Sequence, residues 1–239
     1  ICAAIMNHYK VDAVPHIICG GFSREETENA LIDLNFLGID NVLLLRGDSE
    51  KHESHFTPEP GGHAYALDLV EQVVNMNSGT FLDDDLKGVE PTKFCIGVAG
   101  YPEKHFEAPN LNTDISFLKK KVDAGAQYIV TQMFYDNQKY FDFVNKCRQV
   151  GINVPIIPGL KPISTKKQTA ILPKTFFIDI PDDLIQEIEK CKSDDAVKQA
   201  GIDWAVTQAK ELIKFGVPCL HFYTMGSPEN IRKIASQLF

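Results

Sequence analysis

The chain has 239 residues, of which 44% are apolar and 23% charged, and this composition is typical of a folded domain. Its formal charge of −8 provides no basic surface for nucleic acid or for an anionic membrane, so we expect neither as a partner. The six cysteines form no CxxC pair, which argues against a zinc site and against a disulfide framework. We therefore expect a cytoplasmic protein with reduced thiols and no metal site.

Short apolar segments alternate with helical patterns along the chain. Residues 1–9 are typical of the end of a helix that has already begun. Ser23 and Glu26 have the spacing of a capping box, which predicts a helix from there to Gly38. The predicted strands lie at 14–19, 42–45, 94–99, 128–134, 154–158 and 219–223. The other predicted helices lie at 64–75, 115–124 and 138–150, after residue 158, and from residue 227 onward.

Two segments interrupt this alternation and are expected to be surface loops. They are residues 50–62 and residues 78–91, which include three consecutive aspartates, Asp83 to Asp85. Adjacent carboxylates on one segment do not converge easily on a metal ion, so we interpret them as a solvated acidic loop.

Strands that are apolar on both faces, separated by helices, predict an α/β fold with a parallel sheet. A doubly wound sheet with a dinucleotide site should carry a GxGxxG fingerprint, and neither that nor a Walker sequence is present. The six visible units therefore favour a (β/α)8 TIM barrel, with about two β/α units missing at the N-terminus. We expect residues 1–239 to form a single barrel domain that is incomplete there.

Polar residues cluster where the predicted strands end, which is where a barrel builds its active site. Asp48 follows an apolar strand, and we expect its carboxylate to lie against apolar surroundings, compensated by Arg46 or by a cationic ligand. Lys119 to Lys121, interpreted as early in a helix, could be solvated or could face a diphosphate. The strand-end candidates are His16, Arg46, Gly47, Asp48, Tyr101, Glu103, His105, Gln132, Asp136, Lys161, Gln168, His221 and Tyr223.

These candidates favour a bound organic cofactor over hydrolysis. Neither a GxSxG nor an HExxH sequence is present. The amide of Gln132 can pair with a ring that bears an adjacent donor and acceptor. His16, inside an apolar strand, is by itself more typical of a core histidine than of a ligand-binding residue, so the residues alone leave the substrate open.

Seven short motifs nevertheless occur together and in order, and with them the chain resembles the bacterial-type methylenetetrahydrofolate reductase family over essentially its whole length. The motifs are Val14-Pro15-His16, Leu45-Arg46-Gly47-Asp48, Tyr101-Pro102-Glu103-Lys104-His105, Val122-Asp123-Ala124-Gly125-Ala126, Thr131-Gln132, Ile157-Pro158-Gly159 and His221-Phe222-Tyr223.

The resemblance implies an FAD-dependent oxidoreductase of one-carbon and methionine metabolism. It would take hydride from NADH (or NADPH) onto FAD and pass it to 5,10-methylenetetrahydrofolate, giving 5-methyltetrahydrofolate. The two substrates would use one site in turn, because nicotinamide and pterin must stack on the same flavin face. Family members also assemble into homo-oligomers.

Carried over position by position, the resemblance makes Asp48 catalytic, because its charge would stabilise the cationic iminium form of the folate. The substrate-binding residues would be Asp48, Gln132, Gln168 and Tyr223. The FAD-binding residues would be His16, Arg46, Gly47, Asp48, Tyr65, Ala66, Tyr101, His105, Asp114, Lys120 and Lys121.

The chain departs from the family pattern at several positions. The family's catalytic glutamate and a flavin-site threonine, on the first two barrel strands, have no counterpart here, so the general acid is absent. Phe117 replaces an amide that contacts FAD, and Ser227 replaces an arginine that contacts substrate in some members. Lys120 replaces an arginine, which keeps the charge and loses the bidentate fork.

Two other functions compete with this hypothesis. A Schiff-base aldolase on a barrel would need a desolvated lysine inside a strand, and none of the predicted strands carries one. A non-catalytic binding protein on a degenerate barrel would fit the missing acid, whereas the presence of Asp48, Gln132 and Gln168 argues against degeneration.

Overall fold

Six strands alternate with helices in the computed structural model, which describes residues 1–48, 55–226 and 228–239. The strands lie in one sheet in chain order. They are β1 (His16–Ile18), β2 (Asn41–Leu45), β3 (Cys95–Gly100), β4 (Tyr128–Met133), β5 (Ile156–Leu160) and β6 (His221–Phe222). The helices are α1 (Cys2–Tyr9), α2 (Arg24–Phe36), α3 (Ala66–Asn77), α4 (Leu111–Asp123), α5 (Asn137–Gln149), α6 (Gln168–Phe176), α7 (Asp182–Lys190), α8 (Asp194–Phe215) and α9 (Pro228–Leu238).

The predicted α/β alternation is confirmed, and the differences lie at the ends of elements. The predicted capping box is present, since the hydroxyl of Ser23 accepts from the N–H of Glu26 and the Glu26 carboxylate accepts from the N–H of Ser23. Helix α4 begins at Leu111 rather than at 115, because its first turn contains Asp114, whose negative charge is stabilised by the positive end of the helix dipole. Of the two predicted loops, residues 50–54 lie outside the described residues.

The chain forms two compact units. The first comprises Ile1–Ala99 and Lys120–Ile129, and the second comprises Gly100–Lys119 and Val130–Phe239. In the first unit, β1 and β2 are parallel with Ile17 opposite Leu44, and β2 and β3 are parallel with Leu43 opposite Gly97. A side chain at Gly97 would collide with the ring of Tyr128, whose hydroxyl donates to the carbonyl of Val42 at 3.0 Å. Because glycine occupies position 97, the ring of Tyr128 has room to reach β2.

In the second unit, β5 and β6 are parallel, with Gly159 opposite His221 and Leu160 opposite Phe222. Helix α8 is preceded by its N-cap Ser193, whose hydroxyl accepts from the N–H of Ala196, and followed by its C-cap Gly216, which adopts a left-handed φ of 93°. An apolar core joins β4 to the helices that follow β5, and it comprises Met133, Tyr135, Ile163, Leu172, Ile178, Ile180, Leu184, Ile188 and Val197.

Candidate active site

In the first unit, the turn after β2 carries Arg46, Gly47 and Asp48. Gly47 has a φ of 88°, a left-handed conformation that glycine adopts without strain. The guanidinium of Arg46 lies 5.4 Å from the ring centroid of Phe56. The side chain of Asp48 is exposed to solvent, so the expected apolar surroundings of this carboxylate are wrong. The physical reason is that the Gly47 turn ends the strand and lets the chain leave the buried sheet before Asp48.

Other predicted FAD-binding residues of this unit lie at the ends of β1 and α3. His16 is the first residue of β1, and it is exposed rather than a core histidine. Tyr65 precedes the first turn of α3, its backbone N–H donates to Oδ2 of Asp68 at 3.1 Å, and its ring is exposed. Ala66 begins the helix. These positions place an exposed aromatic ring at the N-terminus of α3.

Lys120 and Lys121 lie in the last turn of α4, so their predicted position early in a helix is wrong. The helix began earlier than its apolar pattern indicated, and this moves both residues to the negative end of the dipole, where cations are stabilised. The ammonium of Lys121 donates to the carbonyl of Ala99 near the end of β3, at 3.0 Å. One lysine is thus held against the end of β3, while Lys120 is exposed.

In the second unit, the structure brings together Tyr101, His105 and Asp114. The rings of Tyr101 and His105 meet edge to face, with centroids 4.8 Å apart. The backbone N–H of His105 donates to Oδ2 of Asp114 at 2.9 Å, which ties the loop after β3 to the first turn of α4. Three residues predicted to hold FAD therefore form one contact cluster.

Gln132 borders a shallow depression at the end of β4. Its side-chain oxygen accepts from the N–H of Met133 at 2.9 Å, so its amide NH₂ remains available to a ligand. The depression is lined by Tyr101, Pro102, Glu103, Lys104, Gln132, Met133, Phe176 and Ile178.

Glu103 belongs to an ion network that the sequence did not predict. Lys139 donates to Oε2 of Glu103 at 2.8 Å and also contacts Oδ2 of Asp179, while the N–H of Asp179 donates to Oε2 of Glu103 at 3.0 Å. Burial raises the pKa of Glu103, against the effect of the Lys139 hydrogen bond. Although burial opposes it, the hydrogen bonds to both carboxylates raise the pKa of Lys139. The network thus joins Glu103, in the loop after β3, to Asp179, which lies 76 positions later in the chain.

The two remaining predicted substrate residues are oriented by backbone contacts. The side-chain oxygen of Gln168 accepts from the N–H groups of Ser164 at 2.6 Å and Thr165 at 3.2 Å. The hydroxyl of Tyr223 donates to the carbonyl of Thr131 at 2.8 Å, and burial raises the pKa of Tyr223 to about 12. Gln168 therefore offers N–H donors to a ligand, and the Tyr223 hydroxyl keeps only its acceptor lone pairs.

The positions where the chain departs from the family pattern are only partly visible. The ring of Phe117 is exposed on α4, whereas Ser227 lies outside the described residues.

No group of three or more His, Cys, Asp or Glu side chains suited to a metal ion occurs in 1–48, 55–226 and 228–239. None of the helices that the structure describes is long and apolar enough to cross a bilayer.

The parallel strands in chain order, with polar residues following them, define a TIM-barrel-like α/β protein with a candidate ligand site. The chain belongs to the methylenetetrahydrofolate reductase family, whose sequence model matches residues 1–239. It is 39% identical over 236 residues to methylenetetrahydrofolate reductase (NADH) 1 of Arabidopsis thaliana, covering 95% of this chain and 38% of that protein. It is 32% identical to 5,10-methylenetetrahydrofolate reductase of Pectobacterium carotovorum, covering 96% of this chain and 70% of that protein.

Solved structures agree with the fold. An uncharacterised protein from Clostridium thermocellum that binds two copies of 5-methyl-5,6,7,8-tetrahydrofolic acid matches with a TM-score of 0.60 at 18% identity, covering 99% of this chain and 77% of that one. An oxaloacetate acetylhydrolase matches with a TM-score of 0.52 at 10% identity, covering 99% of this chain and 62% of that one. At these identities the likeness shows the fold alone.

Proposed function

We propose that the protein reduces 5,10-methylenetetrahydrofolate to 5-methyltetrahydrofolate with a nicotinamide nucleotide, by hydride transfer through FAD. The family match over residues 1–239 carries this proposal. Among the relatives, the Arabidopsis protein is named for NADH and a Caenorhabditis elegans protein for NADPH. We propose NADH for this chain, following the resemblance. The chain spans 38% of the Arabidopsis relative's length, and the activity is proposed for the protein as a whole.

The residues that the resemblance assigns to FAD have the chemistry to hold it. When bound, FAD supplies the centre that accepts hydride from one substrate and donates it to the other. Tyr101 and His105 offer an aromatic pair whose backbone is fixed by Asp114, which suits contact with a flat ring system. The ammonium of Lys121, held at the carbonyl of Ala99, supplies positive charge for a diphosphate.

Asp48 would act on the folate half of the reaction. Its carboxylate is exposed, and a substrate that covers it would remove it from water and strengthen its attraction for a cation. The iminium form of methylenetetrahydrofolate is such a cation. Asp48 would therefore favour the reactive form of the folate without transferring a proton itself.

Gln132, Gln168 and Tyr223 would orient the folate. The amide groups of Gln132 and Gln168 present N–H donors because backbone N–H groups already occupy their side-chain oxygens. The Tyr223 hydroxyl donates a hydrogen bond to the carbonyl of Thr131, so it presents only its lone pairs, as an acceptor, to a ligand. Donors and an acceptor together suit a pterin, whose edge carries both kinds of group.

The fold and assembly complete the proposal. We propose that the six β/α units belong to a single (β/α)8 barrel domain, since the strands follow one another in chain order. Assembly into a homo-oligomer and a cytoplasmic location are proposed on the resemblance alone.

An anaerobic visible spectrum of the full-length protein tests the function. A yellow protein whose flavin bands bleach with NADH and return with 5,10-methylenetetrahydrofolate would support both half-reactions. A protein that stays colourless after addition of FAD would remove the oxidoreductase hypothesis. Bleaching by NADH without reoxidation by the folate would point to a flavin reductase with another acceptor.

A further inference from the structure

Lys161 lies at the end of β5 and has no part in the roles argued above. It is only 8% exposed. The N–H of Tyr223 donates to the carbonyl of Leu160 at 2.9 Å, which extends the β5–β6 register and places Lys161 beside Tyr223. Pro162 follows, and a residue before proline favours extended backbone, so the alternation of the strand continues through Lys161.

The face of β5 that carries Lys161 can be identified from Gly159. A side chain at Gly159 would collide with the ring of Tyr223 and with the carbonyl of Thr131. Because side chains alternate along a strand, Lys161 leaves β5 on the same side as Gly159. This is the side that Tyr223, a predicted substrate residue, covers.

Among the described residues, no carboxylate pairs with the ammonium of Lys161. Within the described part of the chain it has neither a hydrogen-bond acceptor nor an ion-pair partner, and burial lowers the pKa of Lys161. Other partly buried lysines of this unit are satisfied: Lys104 donates to the carbonyl of Ala108 at 3.0 Å, and Lys139 contacts two carboxylates. The Lys161 side chain is largely buried, so its charge is only partly hydrated, and a ligand of opposite charge would offset that loss of hydration.

The neighbouring loop also presents donors. Residues 161–165 are tied to α6 through Gln168, whose side-chain oxygen is occupied by the N–H groups of Ser164 and Thr165. Its free amide group, like the ammonium of Lys161, can only donate. Two donors that follow β5, one of them positively charged, favour an anionic oxygen as the ligand.

We propose that Lys161 binds an anionic oxygen of a substrate at the carboxyl end of β5, from either a folate glutamate or a nucleotide phosphate. The proposal rests on the proposed function, since that function supplies both substrates. A lysine suits this role because it is a compact point charge that needs one acceptor, whereas arginine favours bidentate partners.

Binding of unreactive substrate analogues to the full-length protein tests the proposal and separates the two sources. Folic acid is compared with pteroylamide, which lacks the glutamate, and NAD⁺ is compared with 1-benzylnicotinamide, which lacks phosphate. Lys161→Met keeps the apolar stem and removes the charge. Lys198→Met removes the same charge from an exposed α8 position that pairs with Asp195 and serves as the control. Dissociation constants come from isothermal titration calorimetry.

For Lys161→Met we expect an approximately tenfold weaker binding of one charged ligand, with its uncharged counterpart changed less than twofold. If only folic acid binds more weakly, the group that Lys161 binds is the glutamate carboxylate. If only NAD⁺ binds more weakly, it is the phosphate. Dissociation constants of Lys161→Met that lie within twofold of wild type for all four compounds overturn the proposal. Equal weakening of the binding of all four compounds overturns it as well. If the wild-type protein binds neither folic acid nor NAD⁺, the proposed function falls and the assignment falls with it.

A second measurement follows the ammonium directly. Lysines carrying ¹³C-dimethyl groups are titrated by NMR, and the Lys161 signal is the one missing from Lys161→Met. We expect it to titrate below the other lysines in the free protein and to move upward when the assigned ligand saturates the site. An unchanged titration in the presence of ligand would contradict the proposal.

Discussion

The backbone N–H of His105 donates to Oδ2 of Asp114 at 2.9 Å, and this bond fixes the loop after β3 to the first turn of α4. The edge-to-face contact between Tyr101 and His105 depends on the same loop conformation. Asp114 therefore positions two aromatic side chains that the resemblance assigns to FAD.

Asp114→Ala should weaken FAD binding about tenfold, because the loop loses a hydrogen bond to a charged acceptor. Asp114→Asn keeps a side-chain oxygen and should lie close to wild type. Flavin fluorescence quenching gives the dissociation constants. Asp142→Ala on the exposed face of α5 is the control, and equal FAD affinity in Asp114→Ala and this control would contradict the positioning role.

Lys139→Met should destabilise the protein by about 1–3 kcal/mol, because it leaves the Glu103 carboxylate buried without a counter-ion. Only 8% of the Glu103 side chain is exposed, so water cannot replace the lysine. Urea denaturation measures the free energy of unfolding. The double variant Glu103→Gln with Lys139→Met should recover part of the loss, whereas strictly additive losses would show that the two residues do not interact.

His63 should make the protein sensitive to mild acid. It is buried, its Nε2 lies 2.5 Å from Oε1 of Gln72, and its Nδ1 has no partner. Burial lowers the pKa of His63 below its ordinary value. The unfolded chain then binds more protons than the folded one, so stability that is present at neutral pH is lost as pH falls below about 6.5.

His63→Gln should flatten this dependence between about pH 7 and pH 5, because it retains a donor for Gln72 and does not titrate. The urea midpoint at each pH is the measurement. His55→Gln, at an exposed histidine, is the matched control. The prediction would be contradicted if the urea midpoints of the wild-type protein and of His63→Gln fell equally as the pH is lowered.

Asp48→Asn should separate the two half-reactions. The folate step should slow at least about tenfold more than oxidation of NADH, since only the folate passes through a cation that a carboxylate stabilises. Stopped-flow absorbance of the flavin measures both steps in one variant. Equal losses in the two steps would remove the role assigned to Asp48.

Local sequence patterns predicted the elements of this fold because each depends on neighbours a few residues apart. The capping box at Ser23 and Glu26 is confirmed, and every predicted strand is present, although β1 and β6 are shorter than expected. The start of α4 was missed because its first turn is polar and lacks an apolar repeat. That error also reversed the helix end on which Lys120 and Lys121 lie.

The candidate site was predictable as a set of positions but not as a set of contacts. The motifs identify Tyr101, His105 and Asp114 individually, and their association required a loop that folds back on α4. Glu103 was a strand-end candidate, but the hydrogen bond that it accepts from the backbone N–H of Asp179 joins residues 76 positions apart. No spacing rule spans such a distance.

The sequence by itself determined the α/β alternation, the polar strand ends and the family, since hydrophobic periodicity and short motifs are properties of contiguous residues. Only the tertiary structure decided that Asp48 is exposed, that the Tyr223 hydroxyl donates to Thr131, and that the largely buried Lys161 has no ion-pair partner among the described residues. Burial and partnership depend on which distant segments pack together. That packing follows from the free energy of the whole chain, so these properties became visible only when the strands were assembled.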